Sequence, residues 1–218
     1  MRVVIAGGHG KIALILEKLL TERGDSAVGL IRNPEHAGDL AAVGADAVVV
    51  DLEKATADEV AGHLRDADAV VFAAGAGPGS GIERKTTVDR DAAILLADAA
   101  ERAGVNRYLM VSAMGADEPA AGDDPVFTAY LAAKAAADAA VRDRSALNAT
   151  IVRPGGLTDD PATGRVRVAE STGRGTVPRA DVAAMLLALL DAPATGGVTF
   201  ELISGDASIA EAVAVLTP

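Results

Sequence analysis

Tyr130 and Lys134 stand four residues apart in an alanine-rich stretch, Tyr130-x-x-x-Lys134. A free tyrosine titrates near pH 10, so it exchanges protons poorly at neutral pH unless a nearby cation stabilises the phenolate. Four residues make about one helical turn, which puts the Lys134 ammonium on the same face as the phenol. Such a pair serves as general acid and base on a carbonyl or a hydroxyl. Ser112 follows the apolar run 108–111. A strand end there presents its hydroxyl to a substrate oxygen while Tyr130 moves the proton. Small residues around Tyr130 also suit close helix packing, so the spacing alone leaves the role of the pair open.

Acid–base chemistry of this kind accompanies hydride transfer, which needs a carrier. The start of the chain offers a place for one. Val3-Val4-Ile5-Ala6 runs straight into Gly7-Gly8-His9-Gly10-Lys11-Ile12-Ala13, and helical spacing follows at Ile12, Ile15, Leu16 and Leu19. Read from Gly7 the pattern is G-x-x-G-x-x-A. Glycines let the backbone turn sharply and approach a pyrophosphate, and the open N–H groups at Lys11 and Ile12 start a helix whose dipole favours that anion. Ala13 is small enough for close helix-to-strand packing. A nucleoside-triphosphate loop is excluded, because Gly10-Lys11 is followed by Ile12 rather than Ser or Thr and Ile5 stands where a glycine is required. The next strand ends at Arg32, about twenty residues on, where an NAD site places a carboxylate on the ribose 2′-hydroxyl. A guanidinium there pairs with a 2′-phosphate, so NADP(H) is the expected carrier.

The elements that hold these residues alternate. Apolar runs at 3–6, 27–31, 47–50, 69–74, 108–111, 150–152 and 199–203 read as strands, and helical spacing recurs at Ala92, Leu95, Leu96 and Ala99. The runs are continuous rather than alternating, as in a parallel sheet covered on both faces. The expected fold is α/β: a doubly wound, mostly parallel Rossmann sheet forming one domain over residues 1–218. Segments 75–81 and 116–125 read as surface loops. Residues 154–178, with one alternating run at 166–169, read as a small substrate-side cap.

Composition narrows the function. The 218 residues carry a net charge of −11, no cysteine and very few aromatics. That excludes a disulfide framework and thiol catalysis, and it argues against nucleic acid as a partner. Glycines interrupt the N-terminal apolar run, and no apolar span reaches membrane length. A cytoplasmic protein acting on a small molecule is expected, with its oligomeric state unspecified. His9, His36 and His63 lack ligand spacing, so no metal site is expected, although His9 lies inside the glycine turn. Asp123-Asp124 and Asp159-Asp160 read as solvated loop acids, and Asp181 as structural.

Taken in order, Gly7, Gly10, Ala13, Arg32, Asp51-Leu52, Ala73-Ala74-Gly75, Val111-Ser112, Tyr130-x-x-x-Lys134 and Arg153-Pro154-Gly155 resemble the atypical short-chain dehydrogenase/reductases. The likeness is to their NAD(P)H-binding, epimerase/dehydratase-like group, and it covers nearly the whole chain. The resemblance implies that Asp51 and Leu52 border the adenine, that Ala74, Gly75, Lys134 and Pro154 line the carrier site, and that Ser112, Tyr130 and Lys134 are catalytic. Conventional members use an asparagine on the fourth helix to hold a relay water, and Asp89 stands in that region here. A carboxylate there holds a water or pairs with Lys134, and an exposed acidic turn is the plain alternative. The expected activity is an NADP(H)-dependent oxidoreductase or epimerase. A carrier-binding redox regulator and a flavin-type reductase are the alternatives.

Overall fold

The computed structural model describes residues 1–77, 79–118 and 123–217. In chain order the elements are β1 (Arg2–Ala6), α1 (Lys11–Arg23), β2 (Ser26–Ile31), a 3-10 turn (Pro34–His36), α2 (Ala37–Ala42), β3 (Asp46–Val49), α3 (Ala57–His63) and β4 (Ala69–Phe72). A single helical turn, α4 (Ile82–Arg84), runs through a π-helical segment (Lys85–Asp91) into α5 (Ala92–Ala103). There follow β5 (Arg107–Val111), α6 (Pro125–Arg142), β6 (Asn148–Pro154), β7 (Gly156–Thr158), β8 (Arg165–Ala169), β9 (Thr176–Pro178), α7 (Arg179–Leu190), a second 3-10 turn (Pro193–Thr195), β10 (Thr199–Ser204), β11 (Ala207–Ser208) and α8 (Ile209–Leu216).

Nine strands form one sheet in the order β11-β8-β10-β6-β5-β4-β1-β2-β3. The seven from β10 to β3 are parallel, and β8 runs antiparallel to both β10 and β11. Strand direction follows from burial on both faces. Val3 and Ile5 of β1 pack with Ile12, Leu16 and Leu20 of α1, Leu40 of α2 and Leu186 of α7. Val4 and Ala6 pack on the other side with Val60 of α3, Leu96 of α5 and Val141 of α6. A strand with two dry faces has no wet side to be polar, which is why its sequence reads as a continuous apolar run.

Chain order reverses where β1 pairs with both β2 and β4, and at that reversal the carboxyl ends of the strands open a crevice. The expected doubly wound, mostly parallel sheet is what the structure shows. The cap reading of 154–178 needs one correction. Alternating residues Arg165 to Ala169 are β8, an antiparallel strand of the main sheet, because Val166 is fully buried while Arg165 and Arg167 point outward. Only the flanks of the segment lie over the crevice, where β7 and β9 pair as a separate two-stranded ribbon. Of the two expected loops, 75–81 includes Pro78 and 116–125 includes residues 119–122, which lie outside the described residues. Among the described residues no helix is long and apolar enough to cross a membrane.

Candidate functional site

Gly7 ends β1 with φ +82°, a backbone conformation glycine adopts without strain, and a Cβ there would fall 2.6 Å from Ala74 Cα. Its N–H and that of Gly8 both donate to Leu30 O, and Gly10 N–H donates to Gly7 O at 2.8 Å. The turn thus delivers the chain to α1 with Gly10 as its N-cap, and no side chain caps it. Among the described residues nothing accepts from the N–H groups of Lys11, Ile12 and Ala13. Three open donors at a helix start fit a pyrophosphate. Gly7, Gly10, Arg32, Ala74 and Gly75 line a cavity of about 270 Å³ beside them. A second of about 170 Å³ shares Gly7, Arg32, Ala74 and Gly75 and adds Asp51 and Leu52.

Farther along the same edge, Ser112, Tyr130 and Pro154 line a cavity of about 730 Å³ with Met114, Phe127 and Leu157. Ser112 is fixed just past β5, where its N–H donates to Val152 O at 2.7 Å. Beneath Tyr130 lies Lys134, buried, its Nζ 5.9 Å from the phenol ring centroid and donating to Val111 O at 3.3 Å. Asp89 comes up from the π-helical segment and is 1% exposed. One of its oxygens accepts from Ala76 N–H at 3.2 Å and the other stands 3.4 Å from Lys134 Nζ. Of the readings open for Asp89 from sequence, the ion pair with Lys134 is the one the fold makes, and the exposed acidic turn is ruled out.

The family comparison now falls into place. A family model described as NAD(P)H-binding matches residues 7–193, which spans the glycine turn and every residue of the crevice named so far. The chain belongs to the NAD(P)H-binding family. An uncharacterised sugar epimerase of Bacillus subtilis is 36% identical over 98% of this chain and 99% of its own length. Among solved structures, a candidate NAD-dependent epimerase/dehydratase of Bacillus halodurans superposes with a TM-score of 0.91 at 38% identity, covering 99% of each chain. An anaerobillin reductase of Escherichia coli O157:H7 gives 0.78 at 27% identity over 95% of this chain and 99% of that one.

In this NAD(P)H-binding chain the electrostatics of the phenol differ from the simple lysine–tyrosine pairing. Burial first, then the carboxylates of Asp89 and Asp138, hold the Tyr130 pKa above its ordinary value. Lys134 is pushed below its ordinary value by its own burial, against the pull of Asp89 and Asp138. The lysine charge is therefore shared with Asp89 rather than spent wholly on the phenol.

Some of the side chains expected at the carrier site point elsewhere. Ile12 buries its side chain in the core, and Lys11 turns its ammonium outward to Asp159 Oδ2 at 2.5 Å. Arg32 is exposed and rests on Glu53 Oε2 at 2.9 Å. Asp51 pairs with Lys54 and accepts from Glu53 N–H. Asp181 is structural as expected: it accepts from the N–H groups of Thr163 and Gly164 and ties down the turn before β8. Asp124 is exposed but accepts from Val126 and Phe127 N–H, so it is the N-cap of α6 rather than a plain loop acid.

Three residues around the crevice escaped sequence reasoning. Gly8, an unspecified position of G-x-x-G, has no room for a side chain, since a Cβ would fall 2.6 Å from Gly29 Cα. The Gly7-Gly8 doublet was its only signal. Lys85 is buried, donates to Gly77 O at 2.9 Å and places its Nζ 5.3 Å from the Tyr130 ring centroid. Asp138 is fully buried one turn beyond Lys134, accepts from Arg153 Nε at 2.8 Å, and faces the Ser112 hydroxyl. Its spacing from Lys134 was visible; its partner on β6 was not.

Proposed function

We propose that the protein is an NADP(H)-dependent oxidoreductase or epimerase-like enzyme of the atypical short-chain dehydrogenase/reductase kind, acting on the carbonyl or hydroxyl of a small molecule. One observation carries this reading: the Ser112 and Tyr130 side chains line one cavity, over a buried Lys134, at the same sheet edge as the open amides of the glycine turn. When bound, the nicotinamide supplies the hydride. Ser112 donates a hydrogen bond to the substrate oxygen and holds it toward Tyr130. Tyr130 is protonated at neutral pH and gives its proton to that oxygen, for which the Lys134 charge must offset the burial and the carboxylates that hold its pKa up. Lys134, one turn below, stabilises the phenolate left behind, and Asp89 holds the ammonium in place. Residues 155–157 and 173–175 wall the cavity on the cap side and limit water. Arg32 would pair with the 2′-phosphate.

Tyr130→Phe tests the acid. The chain contains no tryptophan, so NADPH fluorescence reports binding cleanly. NADPH affinity should stay within about twofold while turnover of a carbonyl panel falls by roughly 10²–10⁴. Arg32→Ala should weaken NADPH by about tenfold or more and leave NADH unchanged. Equal affinity of the unaltered protein for the two carriers would refute the 2′-phosphate role. A second reading is favoured by Phe127, which is 48% exposed at the cavity mouth with its ring 6.1 Å from that of Tyr130. Such a surface suits stacking of a flat acceptor such as a flavin, to which hydride passes directly. Unchanged flavin reduction by Tyr130→Phe would select it.

A further inference from the structure

His9 stands third in the glycine turn, and His36 ends the 3-10 turn Pro34–His36 that follows β2. Nothing in their spacing joins them. The fold nevertheless lays their rings face to face, with centroids 3.6 Å apart and planes 15° from parallel. His9 Nε2 lies 2.7 Å from Asp39 Oδ2 of α2. A carboxylate only accepts, so that nitrogen carries the hydrogen, and Nδ1 of the same ring turns from acceptor to donor when the imidazole is protonated.

Both histidines line the cavity of about 270 Å³ together with Gly10, Arg32 and Asn33. That is the pocket next to the open amides of α1, on the side away from Tyr130. Glu35 precedes His36 in the same 3-10 turn. Asp39 faces His9 from α2, Arg32 comes from the end of β2, and Lys11 is turned away to Asp159. Two stacked imidazoles hold one positive charge readily, whereas a second repels the first unless an anion faces both. Asp39 faces only His9, whereas a phosphate in this cavity would face both rings.

We propose that His9 and His36 form, with Arg32, the wall that reads the 2′-phosphate of the carrier, and that protonation of the stack strengthens the grip. This rests on the reading that the carrier is NADP(H). It goes beyond that reading by making the preference proton-dependent: guanidinium recognition alone is insensitive to pH in this range, while histidine changes charge between about pH 5 and 8.

The test measures binding of 2′,5′-ADP and 5′-AMP, by displacement of NADPH fluorescence, at pH 6.5 and pH 8.5. The proteins are the unaltered chain, Arg32→Ala, His9→Asn and His36→Gln. For the unaltered chain, the advantage of 2′,5′-ADP over 5′-AMP should shrink by about tenfold from the lower to the higher pH, the size of one charge-assisted contact. Both histidine variants should bind 5′-AMP normally, which also shows that they fold, and should show a smaller advantage that no longer changes with pH. No advantage in the unaltered chain overturns the NADP(H) reading and this inference together. An advantage that is lost in Arg32→Ala but retained with its pH dependence in both histidine variants overturns the histidine wall alone.

Discussion

Glu17 is a buried acid left without partners among the described residues: it is fully buried on α1, neither carboxylate oxygen has a hydrogen bond, and burial raises its pKa from 4.5 to about 8. Its Oε1 sits against Gly8 and Gly29, so the acid occupies space that those glycines leave under the carrier loop. The sign of the effect follows. Between pH 4.5 and about 8 the folded chain keeps a proton that the unfolded chain has lost, so stability falls as pH rises through that window, by up to about 1.4 kcal/mol per unit. Urea unfolding from pH 5 to pH 8 should show this slope, and Glu17→Gln should flatten it. A variant with the same slope would place the titration elsewhere. Legibility at this scale was uneven. Ser112, Tyr130 and Lys134 were legible as candidates, because the chemistry proposed for them needs particular atoms at particular spacings. Lys85, Asp138 and Glu17 were not, since what distinguishes them is which neighbours the fold brings near.

At the scale of elements, the junction of β1, α1 and β2 depends on absent side chains. Alanine at Gly8 would press a methyl group onto the backbone of Gly29, so β2 must retreat. Gly8→Ala should cost about 1–3 kcal/mol in unfolding free energy and weaken NADPH, because the start of α1 moves with it. Elsewhere a buried ion pair joins α6 to β6 through Asp138 and Arg153, whose Nη1 also reaches Asp117 at 2.8 Å. Removing one partner strands the other, and Asp138→Ala should destabilise by about 3–5 kcal/mol in thermal or denaturant melts. Long, evenly spaced elements such as α1, α5 and the doubly covered strands were readable, since burial on one stripe or two faces writes itself into the residue pattern. The short β7, β9 and β11, each of two or three residues, leave too few positions to carry a pattern. The alternation at 166–169 was seen, and only its partner β10, more than thirty residues downstream, could show that it extends the main sheet.

The whole molecule divides its labour along the sheet. On the function proposed above, the glycine turn, Arg32 and Asp51 on the β1–β3 side would hold the adenosine half of the carrier, and Ser112, Tyr130 and Lys134 on the β5–β6 side would handle the proton, with the strand reversal between them. Carrier binding should stabilise the whole. At a hundred times its Kd, NADPH adds about 2.7 kcal/mol, which for a chain of this size raises Tm by roughly 5–10 °C. NADH at the same concentration should raise it less. Which strand lies beside which was not written in any local pattern; it became expected only through the ordered fragments that resemble a known family. One segment joins the two sides. Within Lys85–Asp91, Thr87 donates to Glu53 beside Arg32, and Asp89 pairs with Lys134. A π turn holds one residue more than an α turn, so this helix depends on an added amino acid for its phasing. An in-frame loss of a single codon here would let the helix relax to ordinary winding and shift Thr87 and Asp89 against the Glu53 and Lys134 they now reach. On the proposed function such a deletion should cost turnover more than NADPH binding, which a fluorescence titration set beside an activity assay would show.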